Sequence, residues 1–193
     1  MNRNIAIFAS GSGSNAENIV RYFQDNDAVK VKLIIANKND AYVLQRARNL
    51  NIPSAVFLKE EWKTAENIVS ILKEYKIDFI VLAGFLLRIP DTLLHAYPNS
   101  IINIHPALLP KYGGKGMYGD HVHKAVVAAG DTQSGITIHY IDDKYDEGEM
   151  IAQFACEVEP EDTYETVAAK VHALEYEHFP RVIEEVLSGL PNQ

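Results

Sequence analysis

The chain has 193 residues, with 18 Lys and Arg against 26 Asp and Glu, a formal charge of −8, and 47% of its residues apolar. That length suits one domain with its own core. The acidic balance excludes nucleic-acid binding through a general basic surface, which works by releasing counterions with many Lys and Arg.

The longest apolar run, Phe79 to Leu87, is nine residues, against the ~20 that a membrane-spanning helix needs. The apolar stretch Ile5 to Ala9 is too short for a secretory h-region. A single cysteine, Cys156, excludes an internal disulfide framework and a multi-cysteine metal cluster. The expectation is a soluble, cytoplasmic protein with neither a membrane nor a nucleic acid as partner.

Strand-like and helix-like segments alternate from the start. Asn4 to Ala9 is an apolar strand ending in glycine-rich sequence, and Ala16 to Phe23 follows at helical spacing. Val31 to Ala36 reads as a strand, Ala41 to Leu50 as a helix and Pro53 to Phe57 as a short strand. Trp62 to Tyr75 is helical, with Ile68, Ile71 and Leu72 on one side. Ile77 to Leu82, apolar at nearly every position, fits a strand covered on both faces. Beyond Gly84, Pro90, Pro98, Pro106 and Pro110 cut the chain into short pieces around a strand at Ile101 to Ile104. His121 to Ala129 fits a helix, and Gly135 to Ile141 and Met150 to Val158 fit strands extending the sheet in antiparallel or mixed fashion. Asp162-Thr163 caps a final helix to about Leu187, in which Pro180 should start a new segment or kink the axis. This rhythm predicts an α/β fold with a doubly wound, mostly parallel central sheet and an antiparallel extension. The reactive crevice of such sheets lies beyond the C-terminal strand ends.

Ser10-Gly11-Ser12-Gly13-Ser14-Asn15 joins the first strand to the first helix. Glycines allow a tight turn, and free N–H groups at a helix start can hold a phosphate. Gly11-x-Gly13-x-x-Ala16 also fits a dinucleotide fingerprint, which calls for an acidic residue at the end of the second strand. Asn37 and Lys38 stand there instead, so a phosphate site is favoured over an NAD site.

Ile101-Ile102-Asn103-Ile104-His105-Pro106 turns polar at its C-terminal end. Alternation puts Asn103 and His105 on one face and Ile104 on the other. A carboxamide can donate to a developing oxyanion, and an imidazole can move a proton near neutral pH. The acidic turn Asp142 to Glu149 holds five carboxylates, any one of which could face His105; spacing does not choose among them.

Together these segments resemble the phosphoribosylglycinamide formyltransferases, folate-dependent enzymes of purine synthesis. The matching pieces, in family order over about Asn4 to Pro180, are Gly11-Ser12-Gly13-Ser14-Asn15, Leu82-Ala83-Gly84-Phe85, Asn103-Ile104-His105-Pro106-Ala107-Leu108-Leu109-Pro110-Lys111-Tyr112 and Asp146-Glu147-Gly148. Methionyl-tRNA formyltransferase and formyltetrahydrofolate deformylase share the Asn-x-His-Pro segment. Each also carries a further domain, for which 193 residues leave no room.

The resemblance implies a Rossmann-like formyltransferase fold in one domain, 1–193, with a ribonucleotide phosphate-binding half at about 1–100 and a folate-binding and catalytic half at about 101–193. It implies transfer of the formyl group of 10-formyltetrahydrofolate, as cosubstrate and without a metal, to the amine of N1-(5-phospho-D-ribosyl)glycinamide, on the de novo route to IMP. Gly13, Ser14, Asn15 and Glu175 would bind the ribonucleotide. Asn103, His105 and Asp146 would be catalytic. The pterin would lie against the backbone of Leu86, Leu87, Arg88 and Ile89 and against Asn103, Ile141 and Asp142. Arg88 is displaced by one residue from the family pattern and is assigned no side-chain contact. The four glycines of Gly113 to Gly119 imply a mobile lid.

His121-Val122-His123 has metal-ligand spacing but no third ligand nearby, and fits the lid, the ribonucleotide pocket or a helix start better. His95, His139, His172 and His178 have no distinguishing context. Trp62 and the tyrosines read as packing, and Cys156 as an inert core residue. Alternative functions are a formyltransferase for another amine such as a sugar nucleotide, a nucleotide-binding module without turnover, and an NAD oxidoreductase. Monomer and homodimer are both compatible with the sequence.

Overall fold

A computed structural model describes residues 2–142 and 148–190. Seven strands form one sheet: β1 (Arg3–Ala9), β2 (Val29–Ala36), β3 (Ser54–Val56), β4 (Phe79–Leu82), β5 (Ile101–His105), β6 (Gln133–Tyr140) and β7 (Met150–Glu157). Their spatial order is β3-β2-β1-β4-β5-β6-β7. β1 to β5 run parallel, and β6 and β7 add antiparallel strands at one edge. This is the doubly wound sheet with an antiparallel extension that the alternation of elements predicts.

Helices cover both faces: α1 (Ser14–Tyr22), α2 (Val43–Asn49), α3 (Glu66–Glu74), α4 (Asp91–Ala96), α5 (Asp120–Ala129) and α6 (Tyr164–Gly189). Strand periodicity divides the core into two layers. Ile5, Ile7 and Ala9 pack with α1, α2 and α6, while Ala6 and Phe8 pack with α3, α4 and Trp62. β4 is buried at every position, as a central strand between two helical layers must be.

Three elements differ from the sequence expectation, each for a local reason. Trp62 lies outside α3, because Ala65 adopts a left-handed conformation with φ 56° immediately before it. The indole is buried; its Nε1–H donates to the Phe57 carbonyl at 2.7 Å and the ring packs against Phe85 with centroids 4.6 Å apart. Pro90 and Pro98 flank an unanticipated helix, α4, whose first turn forms as the N–H groups of Leu93 and Leu94 reach the Pro90 carbonyl. Pro180 sits inside α6, which continues past it to Gly189. Proline lacks the N–H that would bond the Tyr176 carbonyl, and Asn18 Nδ2 donates to that oxygen instead at 2.9 Å. The expected start of α6 holds: Thr163 Oγ1 accepts from the Thr166 N–H in a capping box.

The strand order reverses between β1 and β4. Chains leaving their C-terminal ends diverge to opposite sides, and this opens the crevice typical of such sheets. The two ends are stitched together. Ser10 N donates to the Gly84 carbonyl at 3.0 Å, and Leu86 N donates to Ser10 Oγ at 2.9 Å. Among the described residues no helix is long and apolar enough to cross a membrane.

Candidate active site

A cavity of about 580 Å³ occupies this crevice. Its floor is the Gly11–Asn15 loop, the Ala83–Leu86 segment and the end of β5. One wall is the glycine-rich segment from Gly114 to Gly119, and the far wall is His123 of α5 with His172 and Glu175 of α6.

The glycine loop folds as its sequence requires. Gly13 has φ 71° and ψ 24° and immediately precedes α1. A Cβ there would lie 2.3 Å from Val43 Cγ2 and 2.9 Å from Val43 Cα, so only glycine fits both the conformation and the packing. The loop is held from behind. Val43 N donates to the Gly11 carbonyl at 3.1 Å, and Arg46 Nε donates to the Ser12 carbonyl at 2.8 Å. Arg46 also pairs with Glu17 in the first turn of α1. The Glu17 carboxyl is held below its ordinary range by hydrogen bonds from Arg21 and Arg46. The N-terminus of α1 thereby faces the cavity as an anion-attracting end.

Asn15 connects the loop to α6. Its Nδ2 donates to Glu175 Oε2 at 2.9 Å, and His172 Nδ1 donates to the same oxygen at 2.8 Å. Glu175 is 5% exposed. That hydrogen bond pushes the His172 pKa up. His172 therefore has a context its sequence neighbours did not betray: it lies three positions before Glu175, on one helical face. His123 is also brought to this end, its ring 6.5 Å from that of His172. His121 is exposed, its ring edge-on to Tyr118 at 5.3 Å. Among the described residues there is no group of three metal-ligating side chains.

At the other end of the floor stand Asn103 and His105. Ile102 and Ile104 point into one core layer, which leaves Asn103 and His105 on the opposite face, as alternation predicts. Asn103 Nδ2 meets His139 Nε2 at 3.2 Å, and His139 Nδ1 meets the Tyr140 carbonyl at 3.0 Å. A carbonyl only accepts, so Nδ1 carries the proton and Nε2 receives one from the amide. His139 is 1% exposed. It faces Asn103 across the β5–β6 ladder, where the two residues are direct partners. Sequence reasoning left His139 without a role, because a strand-to-strand register was needed to see it. His105 is 4% exposed, and its Nε2 donates to the Tyr112 carbonyl at 2.7 Å. Tyr112 is anchored through its hydroxyl to Asp131 Oδ2 at 2.9 Å, and Lys111 reaches the same carboxylate at 3.0 Å.

Of the expected folate-side residues, Leu86 is 45% exposed at the cavity rim, Leu87 is partly buried and Arg88 is exposed. Arg88 forms a surface pair with Asp91 at 3.4 Å. Ile89 is 4% exposed and belongs to the core. Ile141 is held beside β5 by its N–H, which donates to the Ile101 carbonyl at 2.9 Å, and Asp142 is exposed. Asp146, expected to be catalytic, lies outside the described residues. Gly148, just beyond, has no room for a side chain, because a Cβ would fall 1.8 Å from the Tyr140 carbonyl oxygen. Cys156 is partly buried on β7 rather than in the core interior, and burial pushes its thiol pKa up.

A Rossmann-like sheet with an anion loop at its switch point and an Asn-x-His strand end beside it defines a class. The formyl transferase family profile matches residues 3–183, and the chain belongs to that family. Among its relatives, the phosphoribosylglycinamide formyltransferase of Bacillus subtilis (strain 168) is 40% identical over 199 residues, covering 99% of this chain and 97% of that protein. The chloroplastic phosphoribosylglycinamide formyltransferase of Arabidopsis thaliana is 40% identical over 187 residues, covering 94% of this chain. This chain spans 64% of the length of that plant protein and 60% of its counterpart in Vigna unguiculata. The crystal structure of phosphoribosylglycinamide formyltransferase from Bacillus halodurans superposes with a TM-score of 0.89 at 38% identity, covering 98% of each chain.

Proposed function

We propose that this protein transfers the formyl group of 10-formyltetrahydrofolate to the amine of N1-(5-phospho-D-ribosyl)glycinamide, a step of purine biosynthesis. The observation that carries this reading is the shared cavity: the anion loop Gly11–Asn15 and the pair Asn103 and His105 line one continuous space.

The ribonucleotide phosphate would sit on the N–H groups of Gly13, Ser14 and Asn15, with Glu175 on its sugar. That placement directs the amine along the floor toward β5. The folate would enter past Leu86 to Ile89 and the Ile141–Asp142 backbone, bringing its formyl carbon to the same point. Attack of the amine nitrogen on the formyl carbon forms a C–N bond and moves an electron pair onto the formyl oxygen. Asn103 Nδ2 has two hydrogens, one directed to His139 Nε2, so the other is available to that oxyanion. Nε2 of His105 donates to the Tyr112 carbonyl and fixes the ring; protonated in the reaction, that ring would place a cation beside the developing charge. Asp146 would hold that cation and carry the proton released by the amine to the leaving folate nitrogen. Collapse then breaks the C–N10 bond and gives the N-formyl ribonucleotide and tetrahydrofolate. No covalent enzyme intermediate is needed, and the donor set calls for no metal.

In this reading the chain is one domain with two functional halves. The phosphate side is dominated by β1–α1 and the chemical side by β5–β6, with α6 of the second half reaching back through Glu175.

The test is to mix the purified protein with the ribonucleotide and 10-formyltetrahydrofolate and follow folate product by absorbance. Expected is turnover that needs both reactants and is not supported when a sugar nucleotide amine replaces the ribonucleotide. Turnover with the sugar nucleotide alone, or tight ribonucleotide binding without formyl transfer, would overturn the reading. Asp146→Asn should lower kcat ~10²-fold or more with little effect on ribonucleotide binding.

A further inference from the structure

Two buried polar atoms on the phosphate side of the cavity have no hydrogen-bond partner among the described residues: Asn15 Oδ1 and His123 Nδ1. Both residues line the cavity, and His123 is only 2% exposed. A buried ring nitrogen without a partner is costly unless something else satisfies it.

The charges around it explain what that something is. The glycine loop offers a helix N-terminus, equivalent to roughly half a positive charge. Beside it lies the buried carboxyl of Glu175, held by Asn15 and by the half-exposed His172. A phosphate placed on the loop adds up to two negative charges next to that carboxyl. Even with His172 counted as an imidazolium and Lys115 of the cavity lining as a cation beside the helix end, a doubly charged phosphate leaves this assembly net negative, which favours one more proton on a nearby base.

We propose that His123 takes up that proton as the ribonucleotide phosphate enters, so that ribonucleotide affinity is linked to proton uptake. The inference rests on the function proposed above and specifies how its phosphate side responds to pH. The groups acting on His123 are His172 and Glu175 from α6 and Asp120 from its own helix. Lys115 and His105 line the same cavity from the glycine-rich segment and β5. In the free protein, burial first and then His172 hold the His123 pKa below its ordinary value, so the ring is neutral near pH 7 and has a proton to gain. A group whose pKa is raised by binding strengthens binding below the bound-state value, and that gain is lost as pH rises through it.

The experiment is calorimetric titration of glycinamide ribonucleotide into the intact protein at pH 6.5 and pH 8, in buffers of different ionisation heat. The same titration is run on His123→Asn. The ligand's own titration is common to both proteins and cancels. Expected is a larger proton uptake for the unmodified protein, with a ratio of affinities at the two pH values about three- to tenfold larger than for the variant. Equal uptake and equal ratios overturn the proposal while leaving ribonucleotide recognition intact. Absence of ribonucleotide binding at either pH overturns the proposed function, and this inference with it. If His123→Asn does not fold, histidine Cε1–H resonances of the unmodified protein decide. Expected is one histidine titrating below the usual range when free and moving upward when the ribonucleotide is bound; invariance of all of them rejects the assignment.

Discussion

The two ends of the cavity are built by different means. The anion end is local: five consecutive residues, Gly11 to Asn15, make the turn and open a helix, and its donors are mostly backbone. The chemical end is assembled across strands and loops. Asn103 depends on His139 from the next strand, and His105 depends on a carbonyl seven residues downstream whose side chain is tied to Asp131. A backbone site is broken by adding atoms. A side-chain site is broken by removing them, or by disturbing neighbours that never touch substrate.

The sharpest test of this contrast is His105→Ala, which should lower kcat ~10²- to 10⁴-fold with little change in ribonucleotide KM; steady-state kinetics read the split. Gly13→Ala should do the reverse, raising ribonucleotide KM strongly. It should also cost about 2–4 kcal/mol of stability in denaturant unfolding, from left-handed strain plus overpacking against Val43. His139→Leu removes the acceptor that orients the Asn103 amide and should lower kcat about tenfold while leaving KM for the ribonucleotide alone. A KM effect there instead would erase the distinction between the two ends. Arg46→Met supports the loop only from behind and in partial exposure, so a loss of about 0.5–1.5 kcal/mol is expected.

The smallest effect lies outside both ends, at the start of α6. Hydrogen bonds from Lys170 and then Thr166 hold the Asp162 pKa at about 2, below the ordinary carboxylate range. A depressed carboxyl contributes stability above its unfolded value and loses it as pH falls through the folded one. Asp162→Asn should therefore lower Tm slightly at neutral pH, with the gap closing as the solution is acidified toward pH 2.

How much of this was legible beforehand follows the same division. The unbroken apolar runs of β1 and β4 mark buried strands without reference to any partner. The Asn103 and His105 face follows from period two, and the capped start of α6 from Asp162-Thr163. Other features needed a neighbour. Pro180 continues a helix only because Asn18 takes the orphaned Tyr176 carbonyl. Trp62 leaves its helix to fill a space between Phe8 and Phe85. His172 carries no sequence mark, and His123 only a spacing that fits the lid, the ribonucleotide pocket or a helix start, since nothing in a linear pattern says that α5 and α6 together wall the glycine loop.

The sequence alone determined the strand–helix rhythm, the anion loop and the polar end of β5, because turn geometry and side-chain periodicity are properties of adjacent residues. Only the tertiary structure brought His139 and His172 to the site beside His105 and showed what each histidine meets. Burial and hydrogen-bond partners come from distant segments, 160 positions apart between Asn15 and Glu175, and local chemistry holds no information about that distance.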